Sequence, residues 1–208
     1  MNIKTLVFDL GGVYFTRGTN LAIEKIIDLY DISRHHLLRE FFKDGFKKEG
    51  YMLRLGLLNM VEFEKRFISK FKIKKDIHHL KQLWFSSYIP HYKMEAIIDQ
   101  LRHKYKFRLV VFSGNIKERV KFLDNRYHFA QKFDDFIYSF DYKKNKGDIE
   151  FYEELLNHIE CKPSEAILID DERKNVKFAQ SLGLNGIHYY YTEQFVNELK
   201  KYEIEIDL

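Results

Sequence analysis

The chain holds a single cysteine, Cys161, two prolines and one tryptophan among its 208 residues. One cysteine forms no internal disulfide, so a disulfide-stapled scaffold is excluded and a reducing cytoplasm is the expected location. No Cys or His pairs stand at zinc spacing, which argues against a structural zinc site. No apolar run is long enough to cross a bilayer. The apolar stretch near the N-terminus is too short for a signal peptide and lacks a small-residue cleavage site. Internal repeats and low-complexity linkers are absent as well. Charge of one sign is also scarce: the formal net charge is +4. Its lysines are spread along the chain, with KKNK at 143–146 the densest patch, and read as a solvated surface rather than a nucleic-acid face. Neither nucleic acid nor membrane is therefore expected as a partner. Oligomeric state leaves no mark in the sequence. What is present is 45% hydrophobic and 32% charged residues, the mixture of a globular chain long enough for one domain with an insertion.

Hydrophobic periodicity divides the chain unevenly. Residues 3–9 read as a buried strand. From Leu21 to about Tyr88 the apolar spacing is helical, in LAIEKIIDLY, in HLLREFFKDGF and in LLNMVEFEKRFISKF, where Asn59 and Glu62 form an N-terminal capping pair. Pro90 ends this block, and MEAIIDQLRHKY resumes as a helix. Strands are expected at 107–113, 134–140, 166–171 and 185–191, separated by helices. Asp148 is the expected cap of one of these helices, and Gly183 the stop of another. Alternation of this kind predicts an α/β fold, a Rossmann-like parallel sheet flanked by helices. The helical block is too long for a crossover. It predicts a helical cap domain at 16–89, inserted after the first strand into a core formed by 1–15 and 90–208.

Open α/β sheets bind ligands beyond the carboxyl ends of their strands. The first strand here ends in Asp9, the second in Ser113, and the fourth in Asp170 and Asp171, while Lys146 lies between the third strand and its helix. In a parallel sheet these groups converge. Three acids in one place repel unless a cation neutralises them, and an oxygen-rich cluster suits Mg²⁺.

Four segments in order, FDLGGV, VVFSGN, KGDIEFY and ILIDDERKNV, resemble the haloacid dehalogenase-like hydrolase superfamily, and LGLLNMVEF resembles its helical cap. The resemblance implies a Mg²⁺-dependent phosphomonoesterase that forms an aspartyl-phosphate and acts on a small phosphorylated metabolite, such as a sugar phosphate. It implies Asp9 as nucleophile and Lys146 as the group that neutralises it. Ser113, Gly114, Gly12 and Lys146 are then the phosphate-binding set. Asp9, the Gly11 carbonyl and Asp171 are the metal ligands, with Asp170 supporting them directly or through water. Many phosphatases of this superfamily carry a second Asp, a general acid, where this chain has Gly11. That departure keeps two other readings open, a dehalogenase-type hydrolase and a catalytically impaired phosphate- or partner-binding protein.

Each residue also has a plainer reading. Asp9 could cap a strand, Ser113 could belong to a turn, and Asp170 with Asp171 could cap the next helix. On charge pattern alone Lys146 is no different from Lys143 or Lys144; its spacing to Phe151 and Tyr152 selects it. Asn175 lies one helical turn past Asp171, facing the site or the surface. The pairs His35–His36 and His78–His79 read as exposed helix positions, and Tyr189–Tyr191 as a strand end.

Overall fold

The computed structural model describes residues 2–38 and 48–207. Five parallel strands form one sheet: β1 Thr5–Phe8, β2 Arg108–Ser113, β3 Asp135–Tyr138, β4 Ala166–Asp170 and β5 Asn185–His188, in the order β3-β2-β1-β4-β5. Successive strand residues point to opposite faces. Leu6, Phe8, Leu109 and Val111 therefore join one core, and Val7, Val110, Phe112 and Leu168 the other. Helices α9 (Ile149–His158) and α10 (Arg173–Ser181) cover the second face with Phe151, Tyr152, Leu155 and Ala179. Helices α6 (Tyr92–His103), α7 (Lys117–Tyr127) and α11 (Thr192–Leu199) cover the first. This is the Rossmann-like layering that the alternation predicts. The strand order reverses beside β1, so a crevice opens above its carboxyl end.

Between β1 and α6 lie α1 (Gly18–Tyr30), α2 (Arg34–Leu37), α3 (Glu49–Arg54), α4 (Met60–Phe71) and α5 (His78–Phe85). Among the described residues this block holds no strand. The expected helix over 36–46 falls largely outside the described residues. Helix α4 starts where its capping pair requires: the Glu62 amide donates to Asn59 Oδ1 at 2.9 Å and the Asn59 amide to Glu62 Oε2 at 3.3 Å. It buries Met60, Phe63 and Phe67, a helical stripe. The two segments that join the block to the sheet are paired with each other. Thr16 N donates to the Ile89 carbonyl at 2.9 Å and His91 N to that of Tyr14 at 2.9 Å.

Three expectations are corrected. The strand expected at 134–140 stops at Tyr138, because Ser139 turns inward. Its hydroxyl accepts from Asn115 N at 3.0 Å and donates to the Arg54 carbonyl at 2.6 Å, and α8 (Ser139–Tyr142) begins there. The strand expected at 185–191 stops at His188, and Tyr190 and Tyr191 turn out to solvent. Asp148 occupies the first position before α9 but makes no side-chain cap bond; its carboxylate accepts from the Asn145 backbone at 2.9 Å and Nδ2 at 2.8 Å.

Candidate active site

β1 is buried throughout and its ladder continues one step beyond it, with Asp9 N donating to the Ile169 carbonyl at 2.9 Å. This fixes where the Asp9 carboxylate stands. β4 ends at Asp170, so the chain turns between the two acids and both reach the same place. Carboxylate oxygens of Asp9, Asp170 and Asp171 all lie within 4.8 Å of one another.

Lys146 is set among them. Its Nζ is 2.6 Å from Asp170 Oδ2 and 3.1 Å from Asp9 Oδ1, and it is 10% exposed. The neighbouring lysines are elsewhere: Lys144 pairs with Glu154 at 3.0 Å, and Lys143 is exposed in a left-handed turn. Spacing thus picked the lysine that reaches the acids. Burial works against the Lys146 charge, but Asp170 and Asp9 outweigh it and hold its pKa above the ordinary value. Burial pushes the Asp9 carboxyl up to about 7, with Lys146 opposing and the charges of Asp170 and Asp171 adding to the rise. Burial also raises Asp171, against the pull of Arg17.

Asp170 is fully buried and its oxygens are all engaged. Besides Lys146 they accept from Glu172 N at 2.8 Å and from Asn175 Nδ2 at 3.0 and 3.1 Å. Asn175 therefore faces the cluster, not the surface. Asp171 is held by Arg17, with Nε 2.7 Å from Oδ2. Asp9 Oδ1 takes the Leu10 amide at 2.8 Å as well as Lys146, which leaves Oδ2 as the oxygen without a donor among the described residues.

Ser113 ends β2 and is buried, with Asn115 Nδ2 3.5 Å from its hydroxyl. Nothing lies within 4 Å of where a Cβ would stand on Gly114, so backbone faces open space there. The two glycines after Asp9 differ. At Gly12, φ is +92° and a Cβ would fall 2.2 Å from Asp171 Oδ2. Its amide donates to the Phe15 carbonyl at 2.7 Å. Gly12 thus makes room for an acid, and its amide is taken up inside the turn. At Gly11 a Cβ would meet only Tyr88 Cε1, at an ordinary 3.6 Å.

Three residues of the site were given no role by the sequence: Arg17 and Arg119, which stand outside every motif, and Asn115, which closes VVFSGN. Arg119 carried one legible signal. In α7 and its cap, Ile116, Arg119 and Leu123 recur at helical spacing on the buried side, so a cation occupies an apolar position. Beside the acids opens a cleft of about 820 Å³, lined by Gly12, Arg17, Tyr92, Tyr190 and Tyr191 among others. The exposed ends of His35, His36, His78 and His79 lie on the helical block, as expected.

The donor set is chemically apt for a hard divalent cation: three carboxylates converge, and Lys146 and Arg17 offset only two of their charges. Fold and site together define an acid-rich hydrolase centre on a Rossmann-like sheet, with an acid at the end of the first strand and further acids across the switch point. The model of the haloacid dehalogenase-like hydrolase family matches residues 17–188, and the chain belongs to that family. It is 31% identical over 171 residues to an uncharacterized protein of Dictyostelium discoideum, covering 79% of this chain and 70% of that one. A 65-residue stretch, 31% of this chain, is 32% identical to 26% of flavin mononucleotide hydrolase 1 of Arabidopsis thaliana. Among solved structures, a haloacid dehalogenase-family enzyme of Bacteroides thetaiotaomicron in complex with magnesium and inorganic phosphate superposes with a TM-score of 0.74. It covers 93% of this chain and 99% of its own at 20% identity. No described helix is long and apolar enough to cross a membrane.

Proposed function

We propose that the protein is a Mg²⁺-dependent phosphomonoesterase for a small phosphorylated metabolite. The observation that carries this reading is the gathering of Asp9, Asp170 and Asp171 within 4.8 Å around Lys146. The Bacteroides enzyme with magnesium and phosphate supports the ion, and the Arabidopsis flavin mononucleotide hydrolase supports the substrate class.

Asp9, Asp171 and the Gly11 carbonyl would hold Mg²⁺, with Asp170 behind them. When bound, the ion offsets charge on the phosphoryl oxygens. Asp9 is the nucleophile. Its Oδ1 is anchored by Lys146 and the Leu10 amide, so Oδ2 is presented to phosphorus with little freedom to lose. A P–O bond forms to Asp9 as the bond to the leaving oxygen breaks, and that oxygen departs with the electron pair. Ser113 and the Gly114 amide orient one phosphoryl oxygen, and Lys146 stabilises another. Water then cleaves the aspartyl-phosphate and returns the free carboxylate. The helical block 16–89 acts as the cap, excluding bulk water and shaping the substrate space. Its paired connectors, and Tyr88 over Gly11, support that role.

Asp9→Asn should abolish Mg²⁺-dependent release of phosphate from 4-nitrophenyl phosphate. A wild-type protein as inert as this variant, across a panel of phosphorylated metabolites with Mg²⁺, would overturn the reading.

A further inference from the structure

Arg119 is 4% exposed and has no carboxylate partner among the described residues. A buried guanidinium is costly unless its charge and its donors are met. Of its five N–H donors one is used among the described residues, Nε to Asn115 Oδ1 at 2.7 Å. Among the described residues the terminal nitrogens have no hydrogen-bond partner. At 4% exposure Arg119 keeps a narrow opening to solvent. Two rings flank the guanidinium: its carbon is 4.3 Å from the Tyr88 ring centre and 5.8 Å from that of Trp84. The rings meet part of the charge and leave the terminal N–H donors without a partner among the described residues. Arg54, from α3, adds a second positive charge that acts on Arg119 through space, and Asp9 is near enough to act in the opposite sense.

The location is specific. Asn115, which Arg119 holds, stands two residues past Ser113, and Tyr88, on which it stacks, is the side chain facing Gly11. The transferring phosphoryl group already has Lys146, Ser113 and the Gly114 backbone. We propose that Arg119 is a specificity-determining residue that binds an anionic group on the leaving portion of the substrate, so that the site favours phosphomonoesters carrying a second negative charge. This rests on the phosphomonoesterase reading, and the test separates the two.

The probes are phosphonates, which cannot be hydrolysed: carboxymethylphosphonate and 4-carboxyphenylphosphonate, each against its methyl ester, titrated into the full chain with Mg²⁺ by calorimetry. A charge-assisted contact predicts that at least one acid binds wild type about tenfold tighter than its ester. Arg119→Gln should bring that ratio below about threefold, and Arg119→Lys should give an intermediate ratio, because it keeps the charge and loses the fork. Wild type that binds acid and ester equally, or binds neither acid, overturns the proposal with no variant needed. So does an Arg119→Gln protein with native melting temperature and an undiminished ratio. Since the readout is binding, a chain that discriminates these probes yet releases no phosphate from any ester would sink the enzymatic reading and leave the anion site standing.

Discussion

Gly11→Asp is expected to add a general acid to a site that lacks one there. The backbone tolerates it, since Gly11 is not among the glycines held at positive φ. The new Cβ would touch Tyr88 Cε1 at 3.6 Å, a normal contact. Like charges on Asp9, Asp170 and Asp171 would raise the pKa of the added carboxyl and keep it protonated, the state a proton donor needs. A general acid contributes roughly two to four orders of magnitude where the leaving group is poor. An alkyl phosphate should therefore gain about 100-fold or more in kcat/KM, and 4-nitrophenyl phosphate less than about tenfold. The assay is phosphate release across a series of alkyl and aryl phosphates, with melting temperature measured in parallel. A well-folded variant with no gain on alkyl substrates would refute the argument. The control is one residue away. Gly12→Ala places a methyl 2.2 Å from Asp171 Oδ2 at a φ of +92°, and should cost Mg²⁺ binding and activity.

Removing a cation from the buried cluster leaves its acids uncompensated, so Lys146→Met should destabilise the Mg²⁺-free protein by about 3 kcal/mol, with part recovered when Mg²⁺ is added; an unchanged melting temperature would contradict this. Asp9 is raised to about 7, so below that pH a proton must leave before a cation binds. Mg²⁺ affinity should then fall about tenfold per pH unit below 7 and level off above it, and a flat calorimetric profile from pH 5.5 to 8 would refute the assignment. Away from the site, burial acts to raise Asp135, but His158 Nδ1 at 2.8 Å, the Phe136 amide and Arg108 outweigh it and lower its pKa. Its stabilising contribution is complete above the ordinary 3.8 and lost as pH falls through the lowered value, so the melting-temperature gap between wild type and Asp135→Asn should close in acid.

The strands were legible because each is a short apolar run ending in a turn or an acid, and their order follows from the parallel alternation. Their ends were less so. Ser139 leaves the sheet because of partners distant in sequence, Asn115 and Arg54, which no local pattern reveals. Asp148 satisfies Asn145, three residues before it, rather than its own helix, because the turn that carries Lys146 closes on that carboxylate. Of the site, the acids were readable from position at strand ends and Lys146 from its spacing to Phe151 and Tyr152. Arg17 and Asn115 were not, since an exposed arginine at a helix start and an asparagine in a turn are ordinary until the fold brings Asp171 and Ser113 to them.

The two threads that leave and re-enter the sheet lie side by side, laced by the Thr16–Ile89 and Tyr14–His91 bonds. Cutting the chain at 17 and 88 would therefore free two ends that are already neighbours, and a linker of a few residues would span them. Whether the remainder then held together is a separate matter, because the same apolar cluster runs from Phe8 through Phe15 to Phe63 and Phe67. Such a shortened chain would close easily and still bare a greasy floor, so geometry makes the insertion removable while solubility ties it in place.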